Sequence, residues 1–182
     1  KTMKFSKFII IPIIIAILAT AVQIIDQLLQ SAGSGDFFIA GSGFGWLTFQ
    51  AWAVYFFAGC NIKGGVQALV AYVAGIVGAI LIILFAGFLG DLGVSDFWKT
   101  PLSLIILVIP VICLERVKVL IPALFIGAGA LFAIMTFQPA GSDTTFLNAA
   151  GTELVYCVLG LIFGWITVTL RVAYEKRVAK SK

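Results

Sequence analysis

The sequence contains no histidine and only three cysteines in 182 residues, and charged side chains make up 11% of it. Without histidine the chain lacks the commonest metal ligand, the usual general base and the usual proton shuttle. Haem, zinc and Ser-His-Asp chemistry are thereby set aside. Neither G-x-S-x-G nor G-x-x-x-x-G-K-[ST] occurs, so the nucleophile elbow and the phosphate-binding loop are missing too. Cys60, Cys113 and Cys157 form no C-x-x-C and lie in apolar surroundings. They read as structural thiols rather than a disulfide framework. The chain is therefore expected not to be an enzyme, and neither a metal nor a cofactor is expected.

The shortage of charge decides the class. Soluble domains carry about 25% charged residues, whereas this chain is 62% hydrophobic with a mean hydropathy of +1.14. So few charges cannot cover a water-facing surface. Disordered chains are charge-rich and apolar-poor, which excludes that class as well. What is left is an integral membrane protein forming a single domain over residues 1–182.

Stretches free of Asp, Glu, Lys and Arg run over residues 8–25, 37–62, 64–90, 100–114, 119–142 and 154–170. A spanning helix needs about 20 apolar residues. The apolar runs are continuous, whereas a membrane β-barrel shows alternating segments of about 10 residues. The expected architecture is an all-α, polytopic membrane bundle of six transmembrane helices, near residues 8–29, 43–59, 65–89, 100–114, 117–137 and 153–174. Under that count 11 of the 12 basic residues fall on one side, with Lys99 alone on the other. Asp36, Asp91, Asp96 and Asp143 collect opposite them. The positive-inside rule then puts both termini in the cytoplasm. The N-terminal stretch through Ala19-Thr20-Ala21 resembles a signal peptide, but its apolar run continues to Ile25, so a first transmembrane helix is expected there.

The fourth stretch is short. Thr100-Pro101 looks like an N-cap followed by proline at the first helical position, and Pro110 removes a backbone hydrogen bond farther on. Either this helix begins upstream, near Ser95, or it is locally broken. Helices two–three and four–five also look like a faint repeat, each pair carrying a cysteine near its turn and a basic residue just after.

Small and polar residues recur at helical spacing: Ala16, Thr20, Gln23 and Gln27 in the first helix, Trp46, Gln50, Ala53 and Phe57 in the second, Gln67, Ala71, Gly75 and Gly78 in the third, Ala123, Gly127 and Ala130 in the fifth. The sixth carries Glu153, Tyr156, Gly160, Gly164, Thr167 and Arg171, including the G-x-x-x-G of Gly160 and Gly164. Such stripes pack helices closely or line a narrow solute path. An amide or hydroxyl facing lipid is costly, so the stripes are expected to face inward. Gln23, Trp46, Gln50, Trp52, Gly75, Gly127, Gly160, Gly164 and Thr167 are the residues expected to serve path or packing. No acidic or basic residue lies near the centre of a span, which argues against a proton pump or a voltage sensor.

Three stretches carry a family resemblance: Val54-Tyr-Phe-Phe-Ala-Gly-Cys60, Pro122-Ala-Leu-Phe-Ile-Gly-Ala-Gly-Ala-Leu-Phe132 and Leu159-Gly-Leu-Ile-Phe-Gly164. Over roughly residues 44–166 the chain resembles domain-of-unknown-function family 1097, the YcdZ-like bacterial inner-membrane proteins. The resemblance implies a multi-span inner-membrane protein and brings no substrate or catalytic residue with it.

The function expected from the residues is a small inner-membrane channel or transporter for a small neutral or weakly polar solute. The alternative is a non-transporting structural or accessory subunit of a larger membrane complex. Expected partners are the lipid bilayer, further copies in a homo-oligomer and, under the alternative, another membrane protein. Nucleic acid is not expected.

Overall fold

The computed structural model describes residues 5–31, 33–40, 43–138 and 143–180. Among these it is an all-α bundle without strands. Its six long helices are α1 (Ile10–Ser31), α2 (Trp46–Phe57), α3 (Ile62–Asp91), α4 (Asp96–Ile112), α5 (Ile121–Thr136) and α6 (Phe146–Lys180). One helical turn, Phe5–Phe8, precedes α1, and a 3-10 turn, Cys113–Val117, extends α4.

The helix count agrees with expectation, but the lengths differ. Four helices are long and apolar enough to cross a membrane by themselves: α1, α3, α6, and α4 with its 3-10 extension. α5 has 16 residues and α2 has 12. At 1.5 Å per residue they reach only about 24 and 18 Å, against a hydrocarbon core of about 30 Å. Irregular chain makes up part of what α2 lacks. Ile39 and Phe44 are buried in the bundle, and the Ile39 N–H donates to Thr152 Oγ1 at 2.9 Å. Non-helical backbone is tolerated at membrane depth only where protein covers it, and here α6 does the covering.

α4 begins at Asp96, with Ser95 in the N-cap position. The upstream start is therefore correct, and Thr100-Pro101 lies inside the helix instead of opening it. The helix continues through Pro110 as one span. It is peripheral: its single buried residue is Ser103, whose hydroxyl donates to the Ile82 carbonyl of α3 at 2.7 Å. The two hairpin turns are built differently, which weakens the repeat. Cys60 itself is left-handed in the first, at φ 57°, while in the second the left-handed residue is Lys118, at φ 64°.

α6 starts seven residues before Glu153, because Thr145 and Asn148 close a reciprocal cap. The Asn148 N–H donates to Thr145 Oγ1 at 3.2 Å, and the Thr145 N–H donates to Asn148 Oδ1 at 2.8 Å. This is the capping-box arrangement with an asparagine in the third position. At the far end Tyr174 donates its hydroxyl to the Lys7 carbonyl at 2.7 Å. The first and last helices therefore bring their outer ends to the same side of the bundle.

Candidate functional site

Two glycine seams hold the interior shut. At the first, α2 lies on α6. A Cβ at Gly160 would meet the Thr48 carbonyl and the Ala51 side chain, and one at Gly164 would come within 2.6 Å of Tyr55 Cβ. At the second, α3 crosses α5. A Cβ at Gly75 would meet the Leu124 carbonyl, and one at Gly127 would lie 2.8 Å from the Tyr72 carbonyl. Backbones this close are what small residues permit between membrane helices.

Those contacts decide which faces turn inward. α2 presents Leu47, Thr48, Ala51, Trp52, Val54 and Tyr55 to the bundle. Trp46 and Gln50 then fall on its outer side and are exposed. Gln50 makes no hydrogen bond to any described residue. The inward placement expected for the stripes of α1 and α2 is thus overturned. On α1 the buried residues are Ile11, Val22 and Asp26, while Ala16, Thr20, Gln23 and Gln27 are exposed. Thr20 satisfies its hydroxyl on the Ala16 carbonyl of its own helix at 3.0 Å, and Gln23 turns its amide toward Asp26 at 3.5 Å. Hydroxyls that bond back to the preceding turn need no neighbouring helix.

Trp52 is buried and stacks on Phe49, with ring centroids 6.1 Å apart. It also meets Phe163 at 5.8 Å, and its indole Nε1 has no partner. Thr167 is buried and back-bonds to the Phe163 carbonyl at 2.7 Å. The nine expected residues therefore do not share one lumen. Gln23, Trp46 and Gln50 lie outside, while the four glycines, Trp52 and Thr167 lie within the packing.

The interior holds two carboxylates, Asp26 and Glu153, each near the end of an apolar run. Asp26 is 6% exposed and fully partnered. It accepts from the Tyr156 hydroxyl at 2.7 Å and from the Gln30 amide at 2.7 Å. It also lies over Gly45, the N-cap of α2, where a Cβ would collide with both of its oxygens at 2.6 Å. A helix N-terminus attracts negative charge, so Asp26 ties α1 to α2 and α6 together.

Glu153 is the opposite case. It is 0% exposed, and neither carboxylate oxygen has a hydrogen-bond partner. Tyr72 on α3 and Cys157 on α6 lie within electrostatic reach of it. The Tyr72 hydroxyl is likewise buried and unpartnered. Thr152 and Tyr156 share its buried face of α6. Buried polar groups are nearly always bonded, and ionisable residues inside membrane helices mark sites of function by default. Among the described residues no cluster of three or more His, Cys, Asp or Glu could hold a metal ion. The arrangement can bind a proton or present a hydrogen-bonding acid to a polar solute.

The grooves found on the bundle are apolar and open to its outside. One of about 240 Å³ is lined by Tyr55, Leu69, Leu161 and Trp165 among others. None of these grooves is lined by Glu153 or Asp26. No curated protein and no solved structure matches the chain. A family model does match it over residues 13–171, in keeping with the all-helical membrane bundle, and the chain belongs to the family described as Protein of unknown function (DUF1097).

Proposed function

We propose that this protein is a transporter for a small neutral or weakly polar solute in the bacterial inner membrane, with both termini in the cytoplasm. The observation that carries the reading is the sealed polar seam. Asp26, Thr152, Glu153 and Tyr156 are buried inside helices otherwise apolar enough to cross a membrane. Packing alone has no use for an unbonded acid, which costs several kcal/mol or more to bury. The two glycine seams favour a carrier that opens from one side at a time over a standing channel. The test is flux into vesicles reconstituted with the full chain, measured across a panel of small neutral solutes. Uptake of at least one above that of empty vesicles is expected. A folded protein that admits none of them would remove the reading.

Topology can be checked with the native thiols. Cys60 and Cys113 are exposed and lie at the two turns assigned to the cytoplasm. A membrane-impermeant maleimide should leave both unlabelled in intact spheroplasts and label both in inverted vesicles. Labelling of either in spheroplasts would reverse the orientation.

The competing reading, an accessory subunit, draws on Gln50. Its amide is exposed and unbonded at membrane depth, between Trp46 and Phe49, which are exposed as well. For the transporter, Gln50→Leu should leave flux and melting temperature unchanged. Under the accessory reading the same change should cost the protein its membrane partner or its oligomeric form in mild detergent.

A further inference from the structure

We infer that Glu153 is an intramembrane proton-binding site, and that its protonation couples solute movement to a proton gradient; the coupling rests on the transporter reading above, whereas the site itself does not. Three observations meet here. Glu153 is completely buried, both its oxygens lack partners, and an equally buried, equally unpartnered hydroxyl, Tyr72, stands within its electrostatic reach. An acceptor and a donor, both buried and both unbonded, form half of a two-state arrangement. With Glu153 protonated, the acid is neutral and tolerates a dry surrounding. When the proton leaves, the carboxylate needs a donor, and the Tyr72 hydroxyl is at hand on α3. That exchange pulls α3 toward α6 and gives the bundle a second packing. The step is a simple one: an O–H bond forms on Glu153 with a proton taken from water, and the same bond breaks when the proton returns to water on the other side.

A metal cation is a poorer occupant. Hard cations take six to eight oxygen ligands with room around them, and Glu153 and Tyr72 supply three oxygens within a close-packed core. A proton occupies no volume.

The charged and titratable groups facing Glu153 fit this assignment. From α6 they are Tyr156 and Cys157, and from α3 it is Tyr72. From α1 the nearest is Asp26, which holds the Tyr156 hydroxyl. The only titratable residue of α2 is Tyr55, and α5 has none. Among the described residues no basic side chain forms a salt bridge with Glu153. Tyr156 sits one turn along the same buried face of α6 and gives its hydroxyl to Asp26 rather than to Glu153.

Infrared difference spectra of the full chain in lipid vesicles, taken between acidic and alkaline buffer, test the site directly. A protonated-carboxyl band should be lost on the alkaline side, be absent from Glu153→Gln and persist in Asp26→Asn. In Tyr72→Phe, which removes the waiting donor, the band should persist to higher pH. A wild-type spectrum without the band, or one unchanged in Glu153→Gln, would overturn the site. Tyr72→Phe keeps the test open should Glu153→Gln fail to fold, because an unmoved titration there also contradicts the proposal. Coupling is read separately, as flux under an imposed pH gradient. Several-fold stimulation is expected for wild type and none for Glu153→Gln. If the band titrates while no solute is taken up, the transporter reading falls and the proton site stands. If solute is taken up with no response to the gradient, the coupling is refuted.

Discussion

Replacing Gly160 with leucine should separate α2 from α6 and produce the largest loss of stability of any single change on this face. The added side chain would enter space held by the Thr48 carbonyl, the Ala51 methyl and the Trp52 backbone nitrogen. Overpacking a core costs about 1–3 kcal/mol when side chains can shift. Here most of the obstruction is backbone, so the effect should lie at the top of that range or above it. Thermal unfolding in detergent measures it, and the melting temperature should fall by many degrees. Gly129→Ala is the matched control, because nothing lies within 4 Å of the position a Cβ would take there. It should be neutral. Equal melting curves for the two variants would mean that the α2–α6 seam is not closed as described.

Removing the Asp26 carboxylate should be nearly as costly. Asp26→Ala takes away the acceptor of the buried Tyr156 hydroxyl, the partner of the Gln30 amide and the negative charge over the N-terminus of α2. A buried donor left without its acceptor costs about 1–3 kcal/mol, and a charge lost from a helix N-terminus costs about 0.3–1 kcal/mol more. A loss of about 1–4 kcal/mol is expected. α2 should be the first element to loosen, because it is short and depends on its neighbours. Limited proteolysis of the segment over residues 33–45, faster in the variant than in wild type, reports that local opening. Asp26→Asn keeps an acceptor for Tyr156 and should fall between the two. Equal stability of Asp26→Ala and wild type would show that the carboxylate is not part of the packing.

Much of this architecture is legible in the residues because the bilayer simplifies the problem. Continuous apolar runs with few charges admit little besides helices, and the six runs became six helices. The glycines were legible too. Gly160 and Gly164, and Gly75 with Gly127, sit where small residues at helical spacing let backbones touch. Which face of a helix turns inward was not legible for α1 and α2. Thr20 can stay exposed because its hydroxyl bonds to its own helix. Gln50 is exposed because α6 selects the opposite face of α2 through Thr48, Ala51 and Tyr55.

The start of α6 had a sequence signal, Thr145 followed three residues later by Asn148. A span bounded by charges starts later, at Glu153. Such bounds also put Asp26 and Glu153 at helix edges, where neither counts as a mid-span charge. Their surroundings were nonetheless readable. Glu153 and Tyr156 stand on the same stripe as Gly160, Gly164 and Thr167, and Asp26 has a glutamine three residues before it and another four after. What no local pattern contained was the contact of Asp26 with Tyr156, 130 positions apart.

Counterflow distinguishes a carrier with a closed polar seam from an open pore. Vesicles bearing the full chain are preloaded with a solute that the panel shows to be transported, and uptake of the same solute in labelled form is followed. Preloading should accelerate the initial uptake of label, and uptake should saturate with concentration, because a carrier returns faster when loaded. Uptake that rises linearly with concentration and ignores the internal solute would mean an open pore in place of a carrier.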